Sequence, residues 1–358
     1  MKTLDRYMLR ELMIPFLIGT LAVVLMFQAN LVIYILKNQP PQAVPLAALA
    51  QIVMYKTPGF LNMTLPVGMS LAASLAMSRL VRESELTAMR SAGAPILRVI
   101  LPVALFGVLV GIGNFLVVER LVPPAEKLAR ELMTKTALMG AIPEFKSNVM
   151  FNVGNYTGSF GTVSRNKEGT RMQFTDVLLI ERPRAKEFMF YMAESGEYKQ
   201  GLFVLNKALG WRFVGPVVQA FYDPKTVVIN ERVAIPEIFM PPTNEELTTA
   251  EIKRSIDQGR KLGRDMTSAE VSYHTRFSIP ASCFIFALVA PLFAVQFARS
   301  GAFMGVLLSL ILVLGYYNVY IVSTEIFGRN ATIAPLYAAW LPNLLFVVLG
   351  IIGIRRLE

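Results

Sequence analysis

The sequence predicts an α+β membrane protein: three transmembrane helices, an inserted extracytoplasmic β-rich domain, then three more helices (3+3). Three observations predict it. The chain is 54% hydrophobic and only 17% charged, with a mean hydropathy of +0.49, too apolar for an ordinary soluble domain. Six stretches, 12–36, 57–78, 99–118, 277–298, 300–324 and 331–354, contain no Asp, Glu, Lys or Arg. Each reaches the roughly 20 residues that a helix needs to cross the bilayer hydrocarbon. Between the third and fourth lies one long hydrophilic block, 119–276, large enough to be a domain of its own.

The first stretch is too long for the apolar core of a cleaved signal peptide, and no small-residue cleavage site follows it before Pro40. It reads as a retained helix. The second is interrupted by Pro58, Asn62 and Pro66, which membrane helices tolerate where neighbours re-satisfy the backbone. Together with the third it completes residues 1–118; residues 277–358 hold the last three helices. Short-loop charges orient the chain. One side collects Lys2, Arg6, Arg10, Arg79, Arg82, Arg90, Arg98, Arg299, Arg355 and Arg356, the other only Lys37, Lys56 and Arg329. Positive charge marks the cytoplasmic side. Both termini are therefore expected inside a bacterial inner membrane, with the block 119–276 outside the cytoplasm. The net charge of +10 divides into +3 for that block and +7 for the rest. The basic excess is the inside-positive signature and not a nucleic-acid footprint.

Within the block, "VMFNVGNYTG", "MQFTDVLLIERP", "EFMFYMAESGEY", "GLFVLNKALGWRF" and "TVVINERVAI" are short runs rich in aromatic and β-branched residues. Gly, Pro, Asn and Asp separate them, the pattern of a sandwich or open barrel. Two helical pieces flank the strands. "PPAEKLARELMTKTALMG" opens on prolines, and "TNEELTTAEIKRSIDQGRKLG" opens on a Thr243/Asn244 cap with Glu245 and Glu246 in its first turn.

Between the second and third spans lies "RESELTAMRSAG", about 82–93. Ser84 is a candidate N-cap, Glu83 and Glu85 suit the positive helix end, Arg90 the negative end, and Gly93 the residue beyond it. Leu86 and Met89 share a face with Gly93; Glu85 shares the adjacent one with Ala88. A small apolar helix with one acid suits insertion into a groove on another protein. The same spacing also fits a solvated loop helix whose charges only anchor orientation. Helix 5 opens with "GAFMG", placing Gly301 and Gly305 at a spacing that lets helix backbones approach. Lys37 and Lys56 are outer-side cations able to snorkel to the interface and meet a lipid phosphate, or simply to anchor helix ends.

Catalysis has no visible seat. The sequence has no G-x-x-x-x-G-K-[ST] loop, no G-x-S-x-G elbow, one histidine (His274) and one cysteine (Cys283). That inventory offers no nucleotide cradle, nucleophile elbow or zinc set. The charge-free spans also lack the membrane acids of proton- or sodium-coupled carriers.

Three segments resemble the LptF/LptG (YjgP/YjgQ) permeases of the lipopolysaccharide-export ABC transporter: "LDRYMLRELMIPFL", "LPVGMSLAASLAMSRLVRESELTAMRSAGAPILRVILP" and "LTTAEIKRSIDQGRKLGRD" with the following "VSYHTRFSIPASCFIFALVAPLFAVQFARSGAFMG". The resemblance covers nearly the whole chain. It implies that 119–276 is a periplasmic β-jellyroll. It also implies that the short helix couples to a separate LptB-like ATPase dimer through Glu85, with Glu83, Leu86, Met89 and Arg90 around it. ATP and Mg would then enter through that partner, with no cofactor in this chain. Further implied are a second permease chain, identical or paralogous, meeting at a lateral gate between helix 5 (Gly301, Gly305) and helix 1, and jellyroll partners of LptC/LptA type. Family members often carry a basic residue in helix 1 after a glutamine like Gln28; the match here is Asn30. Lys37 and Lys56 are then the expected phosphate contacts, and the cargo is lipopolysaccharide or a related envelope lipid. The rival readings are an ABC permease of the lipoprotein-release or mechanotransmission type, which usually has four helices, and a non-transporting envelope scaffold.

Overall fold

A computed structural model of the chain describes residues 3–38, 45–93, 95–139, 149–153, 156–165, 171–184, 187–199, 202–214, 217–222, 226–229, 243–261, 265–297 and 302–357. Six helices are long and apolar enough to cross a membrane. They begin with α1 (Thr3–Asn38) and α2 (Leu46–Arg82), followed by the short α3 (Glu85–Ser91). Next come α4 (Ile96–Leu116), a π turn (Val117–Leu121) and α5 (Val122–Met139). After the strands, a 3₁₀ turn (Asn244–Glu246) precedes α6 (Thr249–Lys261) and α7 (Thr267–Phe297). The bundle closes with α8 (Ala302–Ile321), a second π turn (Val322–Gly328) and α9 (Pro335–Leu357).

The membrane core is built on α2, α4 and α7. Met69, Ala73 and Met77 of α2, Val99 and Val103 of α4, and Phe286, Val289 and Ala290 of α7 are buried together. In α7, 72% of the most apolar stretch is buried, against 17% in α1. The two helices thus occupy the centre and the edge of the bundle. Small residues set the closest approaches. A Cβ on Gly68 would fall 2.0 Å from Thr20 Oγ1, and one on Gly107 2.4 Å from Ala287 Cβ. Gly107 and Gly111 form a G-x-x-x-G pair seated on α7, a contact that lipid-exposed helices use because apolar burial alone does not hold them together.

Polar bonds between helices supply the glue, one of them on a carbonyl that a proline frees. Pro66 has no N–H, so the carbonyl four residues earlier loses its helical donor. That carbonyl, Asn62 O, instead accepts from Asn114 Nδ2 of α4 at 3.0 Å. Tyr317 Oη of α8 donates to the neighbouring Met63 O at 2.5 Å. Asn343 of α9 donates to Ser278 O at 2.8 Å and accepts from Tyr316 Oη at 2.7 Å. These bonds tie α2, α4, α7, α8 and α9 into one body.

Three boundaries differ from the sequence reading. The second span begins at Leu46 and runs unbroken through Pro58 and Pro66, so Lys56 lies within α2 instead of at its start. The piece "PPAEKLARELM" does not open a new helix: α4, the π turn and α5 follow without a break, and the span runs Ile96–Thr134. Paired prolines at 123 and 124 remove two helical donors, and the wider π turn just before them absorbs the mismatch. The stretch read as one helix from Thr243 splits into the 3₁₀ turn and α6. Thr243 and Glu246 make the first capping box, and Thr248 with Glu251 caps α6.

The inserted domain is an eight-stranded antiparallel sheet in the order β1-β2-β4-β5-β6-β7, with β3 on β4 and β8 on β6. The strands are β1 (Val149–Val153), β2 (Tyr156–Phe160), β3 (Thr162–Arg165), β4 (Arg171–Arg184), β5 (Glu187–Lys199), β6 (Leu202–Val214), β7 (Val217–Tyr222) and β8 (Thr226–Ile229). β2 and β3 pair with β4 in one register, so they act as a single arm. From β4 to β7 neighbours follow in chain order, and β8 returns to pair with β6 beside β7. A line of left-handed residues crosses the sheet. Asp176 has φ 51° and Lys207 φ 52°, and the buried positions step from Phe174 to Val177 and from Leu205 to Ala208. The pairing resumes in the same register on either side of this line, so no residue is inserted, and the interval of three replaces the two of a flat strand because neighbouring strands kink together. Phe160 and Phe174 stack on the buried face with centroids 4.2 Å apart.

Candidate coupling and lipid-contact sites

α3 is shorter than the sequence suggests. Arg82 still belongs to α2, and Glu83 caps the end of α2. Ser84 does not cap: its φ is 60° and its side chain makes no capping hydrogen bond. A left-handed residue at that point turns the chain sharply between two helices and takes the hydroxyl away from the N-cap geometry. The C-terminal reading holds: Arg90 lies in the last turn, and Gly93 has φ 84°.

Leu86 is buried in the core cluster and Met89 packs against it. These two are the anchor of α3 onto the bundle. Thr87, Ala88, Arg90 and Ser91 are exposed. Glu85 is half-buried, and Tyr7 Oη of α1 donates to its Oε2 at 2.7 Å. Arg79 brackets the corner, 2.5 Å from Glu11 Oε2 and 3.0 Å from Glu83 Oε1. Arg98 of α4 pairs with Asp5 of α1 at 2.7 Å. α3 is thus seated on α2 by its buried face and on α1 by the Tyr7–Glu85 bond, with one polar face outward.

At the opposite end, Lys37 is exposed in the last turn of α1. Lys56 is engaged: its Nζ lies 2.5 Å from Oε2 of Glu126, which is 5% exposed. Nearby, Arg130 and Glu246 pair at 2.8 Å. Glu119 accepts from Thr249 N at 3.1 Å and from Thr249 Oγ1 at 2.5 Å, an acid placed at the N-terminus of α6 by another helix. Buried Arg276 donates to Asn244 O at 2.9 Å and to Leu247 O, and lies 3.6 Å from Glu119. This network fixes the 3₁₀ turn and α6 on α5 and α7. Sequence reasoning missed it because its members lie far apart in the chain; a lone Arg at the mouth of a span is the only local sign. Gly301 lies outside the described residues, and Gly305 falls on α8. Among the described residues the G-x-x-x-G contact lies on α4, where Gly107 and Gly111 meet α7, and "GVLVG" is the signal that would have found it. Among the described residues no His, Cys, Asp and Glu group is placed to hold a metal.

Six spans, an antiparallel sheet between the third and fourth, and a short helix between the second and third are the plan of one known family. The family model described as Lipopolysaccharide export system permease LptF/LptG matches residues 6–356. The chain belongs to the LptF/LptG family. It is a multi-pass membrane protein of a transporter-permease family, and the match spans both halves of the bundle and the sheet between them. Among curated proteins, none matches the sequence. Six spans also set this LptF/LptG chain apart from four-helix permeases.

Proposed function

We propose that this chain is a non-catalytic permease subunit that extracts lipopolysaccharide or a related envelope lipid from the inner membrane and passes it to a periplasmic bridge. Both termini and α3 face the cytoplasm, and the sheet domain faces the periplasm; the arginine bias at the α3 end supports this orientation. An LptB-like ATPase dimer binds ATP and Mg and drives the cycle. A second LptF/LptG-type permease completes the lipid cavity, with a gate between α1 and the helix carrying Gly305. Periplasmic jellyroll proteins of LptC/LptA type receive the lipid by strand addition at a sheet edge. Lys37 is the phosphate contact, exposed and without an ion pair among the described residues. Lys56 serves the same role only if the lipid competes with Glu126.

The observation that carries the reading is α3. Leu86 pins it to the core, so force on its outer face passes into α2, the helix it packs on. Glu85 uses one carboxylate oxygen for Tyr7, and its other oxygen carries no hydrogen bond among the described residues. That oxygen is the group offered to a cation on the ATPase. Truncating one partner of a desolvated interfacial pair costs about 2–5 kcal/mol. The test is Glu85→Lys in the assembled transporter. The variant is expected at normal level in the membrane, with loss of ATPase co-purification and of lipid export. Normal export by Glu85→Lys would remove Glu85 from the coupling role. Tyr7→Phe is the control, and export is expected to persist because the outward oxygen is untouched.

A further inference from the structure

At the end of the bundle that carries α3, residues of α1 and α2 line a cleft of about 560 Å³. Three arginines and one acid line its mouth: Arg10 and Glu11 stand on the α1 wall, and Arg79 and Arg82 on the α2 wall. Arg79 is already neutralised between Glu11 and Glu83. Arg10 and Arg82 are exposed and form no ion pair among the described residues. Ser78 also lines the cleft; it is 4% exposed, and its Oγ has no hydrogen-bond partner among the described residues. A buried hydroxyl without a partner loses the hydrogen bonds that water would give it, a cost of about 1–3 kcal/mol, so its place in the cleft wall points to a ligand acceptor. Farther along both helices the lining turns apolar, with Ile14 and Pro15 facing Leu75. A helix rises 1.5 Å per residue, so these side chains lie roughly 6–10 Å deeper than the two free guanidiniums.

We propose that this cleft binds an anionic glycerophospholipid. Arg10 and Arg82 hold the headgroup phosphate from opposite walls, Ser78 donates to an ester carbonyl one turn deeper, and Ile14, Pro15 and Leu75 receive the start of an acyl chain. Guanidinium is the donor best matched to a phosphate, since its forked N–H groups pair two oxygens. Basic pockets between transmembrane helices recognise anionic headgroups in this way. The gradient from paired cations to a lone hydroxyl to apolar side chains follows the order of groups along a phospholipid. A soluble protein partner would instead meet the exposed polar face of α3. The site lies at the other end of α1 from Lys37, so it is separate from the proposed cargo contact. Tyr7 lines the same cleft and donates to Glu85. The bound lipid therefore braces the seat of α3.

The test is native mass spectrometry of the full chain released from phosphatidylcholine nanodiscs containing graded phosphatidylglycerol. One tightly held phosphatidylglycerol per chain is expected. Arg10→Gln with Arg82→Gln is expected to weaken that site at least tenfold and Ser78→Ala severalfold, while Arg6→Gln, an exposed cation of α1 that does not line the cleft, leaves it unchanged. Inorganic phosphate at 10 mM is expected not to displace the lipid; displacement would mean that the cleft takes free phosphate and would overturn the lipid assignment. Unchanged phosphatidylglycerol binding in the double variant would also overturn it, as would a double variant that loses only ATPase binding. If the double variant does not fold, a photoreactive phosphatidylglycerol added to the wild-type chain decides the matter. Crosslinks confined to 7–15 and 75–82 support the site, and their absence from both segments sinks it.

Discussion

Lys37 and Lys56 are at the same end of the bundle in opposite surroundings. Lys37 is open, whereas Lys56 neutralises the buried carboxylate of Glu126. Removing one partner of a buried pair leaves an uncompensated charge and costs about 3–5 kcal/mol. Lys56→Ala is therefore expected to lower the thermal midpoint in detergent clearly, and Lys37→Ala to leave it nearly unchanged. Equal midpoints for the two variants would contradict the pairing. Lys56→Ala alone is thus a poor test of lipid contact, because it removes a structural counter-ion as well. Arg276 is the second residue whose weight is architectural. Arg276→Met keeps the stem but removes the donor from two carbonyls and the positive charge beside Glu119, with an expected loss of about 3 kcal/mol. The sequence made Lys56 legible as an outer cation. It gave no sign of Glu126, seventy residues away, because pairing across helices leaves no local pattern.

At the scale of elements, the six spans were legible and their ends were not. A charge-free window stops at the first Lys or Glu, but a helix that leaves the membrane continues through both. α2 and the α4–α5 rod each extend well past the expected limits for this reason. α3 was legible in its C-terminal half, where Gly93 and Arg90 obey local rules. Its N-terminal half was not, since Ser84 is set by the corner with α2 and not by capping preference. The α4–α7 contact gives a sharp test. Gly107→Leu forces a branched side chain against Ala287 and the Cys283 carbonyl. Overpacking of this kind costs about 1–3 kcal/mol, and the reporter is the thermal midpoint against Gly113→Leu, whose Cβ meets nothing within 4 Å. The cap of α6 adds a pH-dependent term. Thr248 donates its backbone N–H and its hydroxyl to Glu251, and these bonds hold the Glu251 carboxyl below its ordinary value. A depressed carboxylate stabilises the fold above its unfolded pKa and loses that contribution as pH falls through the folded one. Thr248→Ala is expected to cost about 1 kcal/mol at neutral pH, with the difference from wild type shrinking on the acid side. A difference that grows on acidification would show the sign to be wrong.

At the scale of the whole molecule, the edge position of α1 is the feature that bears on assembly. α1 is joined to α2 by the Gly68–Thr20 approach and by Gln28 Nε2 donating to Thr57 Oγ1 at 2.8 Å. Leu17 and Leu21 on its other face are 58% and 59% exposed, and Leu310 and Leu314 on α8 are 50% and 54% exposed. In a bilayer such faces carry no penalty, so exposure alone does not select a partner. The proposed two-permease assembly does select one: it puts α1 of one chain against α8 of the other. Leu17→Cys or Leu21→Cys in one chain, combined with Leu310→Cys or Leu314→Cys in its partner, is expected to give a disulfide-linked pair of permeases under mild oxidation. Leu345→Cys and Val348→Cys on α9 serve as exposed controls, and they are expected to give none with α1. Native Cys283 adds no background, because it is fully buried and a thiol without access does not exchange. Linkage with α9 in place of α8 would place the gate on the wrong helix. The absence of any linked pair, with every cysteine shown reactive to a small maleimide, would argue for a chain whose α1 faces lipid alone.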